Sequence, residues 1–163
     1  MDLWVLIGIG VAAAVFLGSN SIGGNGVIPT GSPSSSSGLT PTSSPGGAVQ
    51  AIALAIAAAE GFGVPGAIPT LANNPGDLVL GNMGYGTMGT QEITVYATAE
   101  DGWNALYGQI QKWINGTSKY YNPSMTWGQI GAIYAGSGTP WAANVAAALG
   151  VDPNSTLGDY VSA

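Results

Sequence analysis

The chain has 163 residues, 46% of them hydrophobic, which is enough for one ordinary core and hardly for two. Charged residues make up only 6%, with eight acids against two lysines (Lys112 and Lys119) and a net charge of −6; phosphate backbones are bound mainly through Lys and Arg, so nucleic acid is not an expected partner. His and Cys are both absent, which excludes imidazole bases, thiol nucleophiles, disulfides and zinc sites built on them, and leaves carboxylates, hydroxyls and lysine for any catalysis.

The first element, residues 1–18, contains the uncharged run "LWVLIGIGVAAAVFLG" from Leu3 to Gly18. As a helix it rises roughly 24 Å at 1.5 Å per residue, a little under the roughly 30 Å hydrocarbon core, and slight bilayer thinning closes the gap. A cleaved signal peptide is the rival reading, but Asp2 is the only charged side chain before the run and "GSNS" is a poor cleavage site. Residues 3–18 are therefore expected to sit in a lipid bilayer as a transmembrane anchor. Residues 19–47 are almost all Gly, Ser, Pro, Thr and Asn. They are expected to form a disordered linker, with a reach of ~30 Å for a flexible chain of this length.

A helical pattern begins at Ala48. Val49, Ile52, Ile56 and Glu60 follow at spacings that share one helix face, and Gly61 is placed to stop the helix. After the polar stretch "NNPGDL", the segment "QEITVYA" alternates Ile93, Val95 and Ala97 with Glu92, Thr94 and Tyr96, predicting a short strand in a small hairpin with the "LVLG" region. Thr98 and Asp101 have capping-box spacing before an amphipathic helix carrying Trp103, Leu106, Tyr107, Ile110, Trp113 and Ile114, which Asn115-Gly116 ends. Thr126 and Gln129 form a second capping box ahead of a short helix with Ile130, Ile133 and Tyr134. Thr139-Pro140 reads as an N-cap with proline at the first helical position, opening a helix with Trp141, Val145 and Leu149 that stops at Gly150; a last turn starts at Thr156. The fold class is mainly α with a small β-hairpin.

Several motifs have plain explanations. "GYGTMG" at 84–89 matches a dinucleotide fingerprint, but it precedes a predicted strand instead of following one, so it reads as a loop and no cofactor is expected. No metal site is expected either. Trp103, Tyr107, Trp113 and Trp141 lie on apolar stripes and belong to a core, whereas Tyr85, Tyr96, Tyr120 and Tyr121 fall in loops or on the polar strand face, where rings can stack on sugars. Glu100 and Asp101 suit a helix N-terminus, and Asp152 and Asp159 suit caps of short turns. Glu60, Asp77 and Glu92 are left without such a role.

In their order and spacing, "AIAAAEGFG", "LANNPGDL", "VYATAEDGWNALYGQI" and "WAANVAAALGVDP" resemble four segments of the lysozyme-like lytic transglycosylase and phage muramidase domains. The resemblance runs from about Ala48 to the C-terminus and implies a lysozyme-like α+β fold over 48–163. It also implies peptidoglycan glycan strands as substrate, cleavage of the MurNAc–GlcNAc β-1,4 bond, and Glu60 as the single catalytic acid. Glu92, Tyr134, Asn73, Asn74 and Tyr85 are the secondary or groove candidates. "AIYAGSG" lacks the Asn of the family's Tyr-Asn-Ala-Gly motif, and the chain is acidic where wall-binding members are often basic. The whole then reads as an enzyme anchored in a bacterial envelope or in the membrane of a phage virion. The alternative is a non-catalytic virion or envelope structural protein that keeps the same fold.

The anchor reading has a direct consequence. The full chain should partition into the detergent phase in Triton X-114, and a chain starting at Ala48 into the aqueous phase. An uncleaved full chain found in the aqueous phase would show that residues 3–18 do not anchor it.

Overall fold

The computed structural model describes residues 46–79 and 93–163. The expected anchor and nearly all of the expected linker lie outside these residues, as do Tyr85 and Glu92. Among the described residues no helix is long and apolar enough to cross a membrane. They are mainly helical: α1 (Gly47–Glu60), α2 (Ile68–Leu71), α3 (Ala99–Ile114), α4 (Trp127–Tyr134), α5 (Trp141–Leu149) and α6 (Leu157–Ser162), with no strand among them.

α1 is the central element, packed against both α3 and α5. Its predicted stripe is buried, with Val49 at 6% exposure and Ile52 and Ile56 at 0%. Ala53, Ala55 and Ala57 are buried as well, and such small side chains let the neighbouring helices approach closely. The helix stops where the sequence says it should. Gly61 takes φ 77°, and the Phe62 and Gly61 amides turn back to the carbonyls of Ala57 and Ala58 at 2.9 and 3.2 Å, the Schellman arrangement. Phe62 then meets Trp103 of α3 edge to face at 5.5 Å, which ties the end of α1 to its neighbour.

The expected hairpin falls partly outside the described residues, and its described part contains no strand. Residues 93–96 pair by backbone with an irregular segment, through Thr94 N–H to the Leu78 carbonyl (3.0 Å) and Tyr96 N–H to the Ala72 carbonyl (2.9 Å). Between these bonds the Asn74 side chain supplies what a partner strand would supply. Its Nδ2 donates to the carbonyls of Leu78 and Thr94, each at 2.9 Å, and its Oδ1 accepts from Leu78 N–H at 2.9 Å. The expected alternation fails for the same reason: Thr94 and Tyr96 are buried, while Val95 is half-buried and Ala97 exposed. The turn that carries Asn74 sits hard against the first turn of α3. A Cβ on Gly102 would come within 1.9 Å of the Asn73 carbonyl oxygen, so only glycine allows the contact.

The predicted capping boxes at Thr98/Asp101 and Thr126/Gln129 both form. A third, Thr156/Asp159, opens α6 and gives Asp159 its role. The last two belong to a short internal repeat that the element-by-element reading passed over: "NPSMTWGQI" at 122–130 and "DPNSTLGDY" at 152–160. The copies pair antiparallel through Thr126 and Thr156. Their bonds are reciprocal: Trp127 N–H to the Ser155 carbonyl and Leu157 N–H to that of Met125, then Gly128 to Pro153 and Gly158 to Pro123. Trp127 and Leu157, equivalent in the repeat, are both fully buried. At α5 the expectation shifts by one residue. Pro140 is the N-cap itself, and the Thr139 hydroxyl donates to the Gly136 carbonyl (3.1 Å), closing the preceding turn instead of capping the helix.

Asn74 is fully buried and makes three hydrogen bonds. Asn74→Ala should therefore destabilise the domain by on the order of 3 kcal/mol, since each buried group left without a partner costs about 1–3 kcal/mol. Chemical denaturation checks this; a loss below about 1 kcal/mol would mean the side chain does not hold the two segments together.

Candidate active site

Glu60 is the last residue of α1, one position beyond the fully buried part of the stripe and half-buried. The Schellman turn fixes the backbone on which it stands. Its Oε1 accepts a hydrogen bond from Trp141 Nε1 at 2.7 Å, across 81 residues of chain. Trp141 is the first residue of α5, so the packing of α5 on α1 brings the indole to the carboxyl. Burial, and then the nearby Asp77 carboxylate, push the Glu60 pKa from its ordinary 4.5 to about 7, and the Trp141 hydrogen bond opposes them. Sequence position predicts the rise through burial. It does not predict Asp77 as the second cause, nor Trp141 as the restraint.

Asp77 occupies the far end of the "NNPGD" turn with φ 45°, a left-handed conformation that Asp tolerates better than most residues. Its carboxyl is held above the usual range by burial, and its Oδ1 is buried without a hydrogen-bond partner among the described residues. The turn is fixed relative to Glu60 by two rings. The Tyr134 hydroxyl donates to the Gly76 carbonyl, and the Tyr134 ring stacks on Trp141 with centroids 4.6 Å apart. A side chain at position 76 would collide with Leu106 Cδ1 at 2.8 Å and crowd the Tyr134 oxygen at 3.1 Å. Contacts thus run from Glu60 through Trp141 and Tyr134 to Gly76, next to Asp77, whose charge is felt at Glu60. Burial and the Glu60 carboxylate hold the Tyr134 phenol well above its ordinary value, so it stays a donor. Chemically, the pair can keep one proton on Glu60 near neutral pH beside a second carboxylate.

The other expected site residues are distributed differently. Asn74 is fully buried and Asn73 half-buried. Asn73 Nδ2 donates to the Tyr96 carbonyl at 3.0 Å and Asn74 is the buried clamp, so both amides hold backbone. Tyr96 and Tyr121, expected in exposed positions, are 5% and 3% exposed. Tyr134 is linked to Glu60 through Trp141 and is a buried strut whose hydroxyl holds the Gly76 carbonyl. Trp141 was readable only as core. The available signal was that a buried indole N–H needs an acceptor. Among the described residues no three His, Cys, Asp or Glu side chains come together to hold a metal ion. No family model, curated protein or solved structure matches the chain. The site's own geometry therefore carries the functional reading.

The raised pKa has a definite effect on stability. Between about pH 4.5 and 7 the folded chain holds a proton on Glu60 that the unfolded chain has released. This contribution is complete below about pH 4.5 and is lost as the pH rises to about 7. Discounted for the solvent that still reaches the carboxyl, charging Glu60 in the fold costs on the order of 1 kcal/mol. Glu60→Gln should melt a few degrees above wild type at pH 8 and converge with it near pH 4.5. A Tm difference that does not vary with pH would rule out the raised pKa.

Proposed function

We propose that the domain is a lysozyme-like, peptidoglycan-cleaving enzyme in which Glu60 is the general acid. The observation that carries this reading is a half-buried carboxyl, braced by an indole hydrogen bond and pushed to about pH 7 by burial and a second acid. A group that must protonate a glycosidic oxygen at neutral pH needs that combination. The alanine-rich α1 ending in the acid, packed between α3 and α5, supports the lysozyme-like reading suggested by the four sequence segments. The substrate is the MurNAc–GlcNAc β-1,4 bond of peptidoglycan, and residues 3–18 hold the enzyme at a bacterial or virion membrane.

Protonated Glu60 donates to the leaving O4 as the C1–O4 bond breaks and positive charge develops at C1. In the lytic transglycosylase route, Glu60, now a carboxylate, takes the proton from the same muramic acid's C6 hydroxyl as that oxygen closes on C1. An anhydro end is left and Glu60 is again protonated. Trp141 keeps the carboxyl in one orientation through both steps. Asp77 favours a second reading of the same site. Inverting glycosidases use a second carboxylate to activate water, and retaining ones use it as a nucleophile. The unpartnered Asp77 Oδ1 is the described group available for that work.

Glu60→Gln should lower wall-lytic activity by roughly 10²–10⁴-fold, the usual contribution of general acid catalysis. Wild-type activity should fall as the pH rises through about 7, where Glu60 loses its proton. Asp77→Asn removes a charge that raises this pKa, so the fall should move to lower pH. Mass spectrometry of released muropeptides separates the two routes. Anhydro ends with acid-side activity kept in Asp77→Asn mean the lyase, and reducing ends with activity lost at every pH mean the two-carboxylate hydrolase. Full lysis by Glu60→Gln would sink both.

A further inference from the structure

The stretch from Gly61 to Ala72, "GFGVPGAIPTLA", holds no charged side chain and a single polar one, Thr70. Thr70 is spent within the loop, where its Oγ1 accepts from the Gly63 amide at 2.8 Å. That bond brings the neighbours of the two residues, Val64 and Leu71, to the same end of the loop. They are 53% and 57% exposed, and among the described residues no other large hydrophobic side chain shows more than half its surface. Gly63, Pro65 and Gly66 are exposed as well. Single exposed apolar residues are ordinary, but two gathered on one uncharged loop need a reason.

The loop is also internally bonded. The Val64 amide donates to the Gly61 carbonyl and the Ala67 amide to that of Val64, each at 3.1 Å, and the Leu71 amide reaches the Ala67 carbonyl at 3.0 Å. Pro65 and Pro69 have no amide to satisfy and hold their own φ fixed. At the base, Phe62 meets Trp103 of α3 edge to face. A loop whose amides are paired within itself leaves water at small cost, and one that is already ordered loses little entropy on docking.

What covers this surface follows from where the rest of the chain goes. The expected linker from the bilayer-embedded residues 3–18 enters the domain at the start of α1, which rises about 21 Å over its 14 residues, and the loop leaves from its far end. A flexible linker of that length reaches ~30 Å, so the domain can rest its loop on the same bilayer while the start of α1 stands off by the length of the helix. Such a tether keeps the lipid at high effective concentration, so a small apolar tip suffices to hold it. Charge offers no other route: with two lysines against eight acids the chain gains nothing from anionic headgroups, whereas an uncharged tip has no charge to desolvate. We propose that the Gly61–Ala72 loop is a membrane-docking surface that inserts Val64 and Leu71 at the boundary of headgroups and acyl chains. Glu60 immediately precedes the loop, so docking turns the acid-bearing end of α1 toward the bilayer. This inference rests on residues 3–18 being embedded in that bilayer.

The chain has no cysteine, so a single one can be introduced and labelled with the environment-sensitive fluorophore NBD. Full-length Val64→Cys and Leu71→Cys, with Gln111→Cys as control, are reconstituted into phosphatidylcholine vesicles. Gln111 is exposed and lies about 12 Å along α3 from the Trp103 that meets Phe62. At 64 and 71 the emission should shift to the blue, lose its quenching by aqueous iodide and gain quenching by nitroxides on the lipid tails; at 111 none of these should occur. The contact should persist in about 1 M salt, where the Debye length is about 3 Å. Leu71→Asp should return the label at 64 to water with the Tm in micelles unchanged, since Leu71 is exposed. Labels at 64 and 71 open to iodide, an equal signal at 111, loss of contact in salt, or contact that survives Leu71→Asp would each overturn the proposal. So would shielding from iodide without nitroxide quenching, which means that protein and not lipid covers the loop. Vesicle flotation reports the anchor separately. A chain that does not float removes both readings, and one that floats with aqueous labels at 64 and 71 removes this one alone.

Discussion

The hydrogen bond from the Trp141 indole to the Glu60 carboxyl joins the last residue of α1 to the first residue of α5, and the site is arranged around it. A half-buried carboxyl can be stable as a neutral acid or as a braced anion, and one donor at 2.7 Å leaves both states accessible. Burial and Asp77 pull toward the acid and the indole toward the anion; the balance falls at about 7. The indole is itself held in place, because Trp141 is 4% exposed and stacked on Tyr134. Orientation and proton affinity are thus set by the same contacts.

A second constraint comes from the polarity of the turn at 73–77. With so few charges available, the chain orders this region by neutral amides. Asn74 replaces a β-strand partner with one side chain, and Asn73 secures Tyr96 from the outside. Glycines at 76 and 102 let the turn lie directly on α3 and on the Tyr134 hydroxyl. The result is a rigid support for Asp77, whose left-handed backbone and buried oxygen are tolerated because the turn around them is so fully bonded. The paired repeat at 122–130 and 152–160 does the same elsewhere, aligning the starts of α4 and α6 by reciprocal backbone bonds. At the 73–77 turn short polar side chains do what a partner strand would do; in the repeat the backbone groups satisfy one another.

Electrostatics divides the described surface in an uneven way. Three of the described acids outside the site are occupied locally: Asp101 and Asp159 close capping boxes, and Asp152 accepts from the amide and side chain of Asn154. The two lysines both line one cavity, which Tyr134 also lines. With a net charge of −6 the chain has no long-range field that would attract an anion.

The sequence alone was sufficient for whatever depends on neighbours along the chain. The apolar stripe of α1 with Glu60 at its end, the stop at Gly61, the amphipathic face of α3 and the capping boxes at Thr98 and Thr126 are all properties of a few consecutive residues, and each is present as read. The repeat around Thr126 and Thr156 was legible in the same way, as a shared spacing of Pro, Thr and Gly. The alternation at 93–97 was legible too but misleading, since period two marks an extended segment and says nothing of what it pairs with. Tertiary structure decided the partners. Which donor braces Glu60, which acid lies opposite it, and why Asn74 is buried depend on contacts across tens of residues. There an indole, an amide or a carboxylate has several chemically equivalent choices, and only the packing of α5 on α1 and of the 73–77 turn on α3 selects among them.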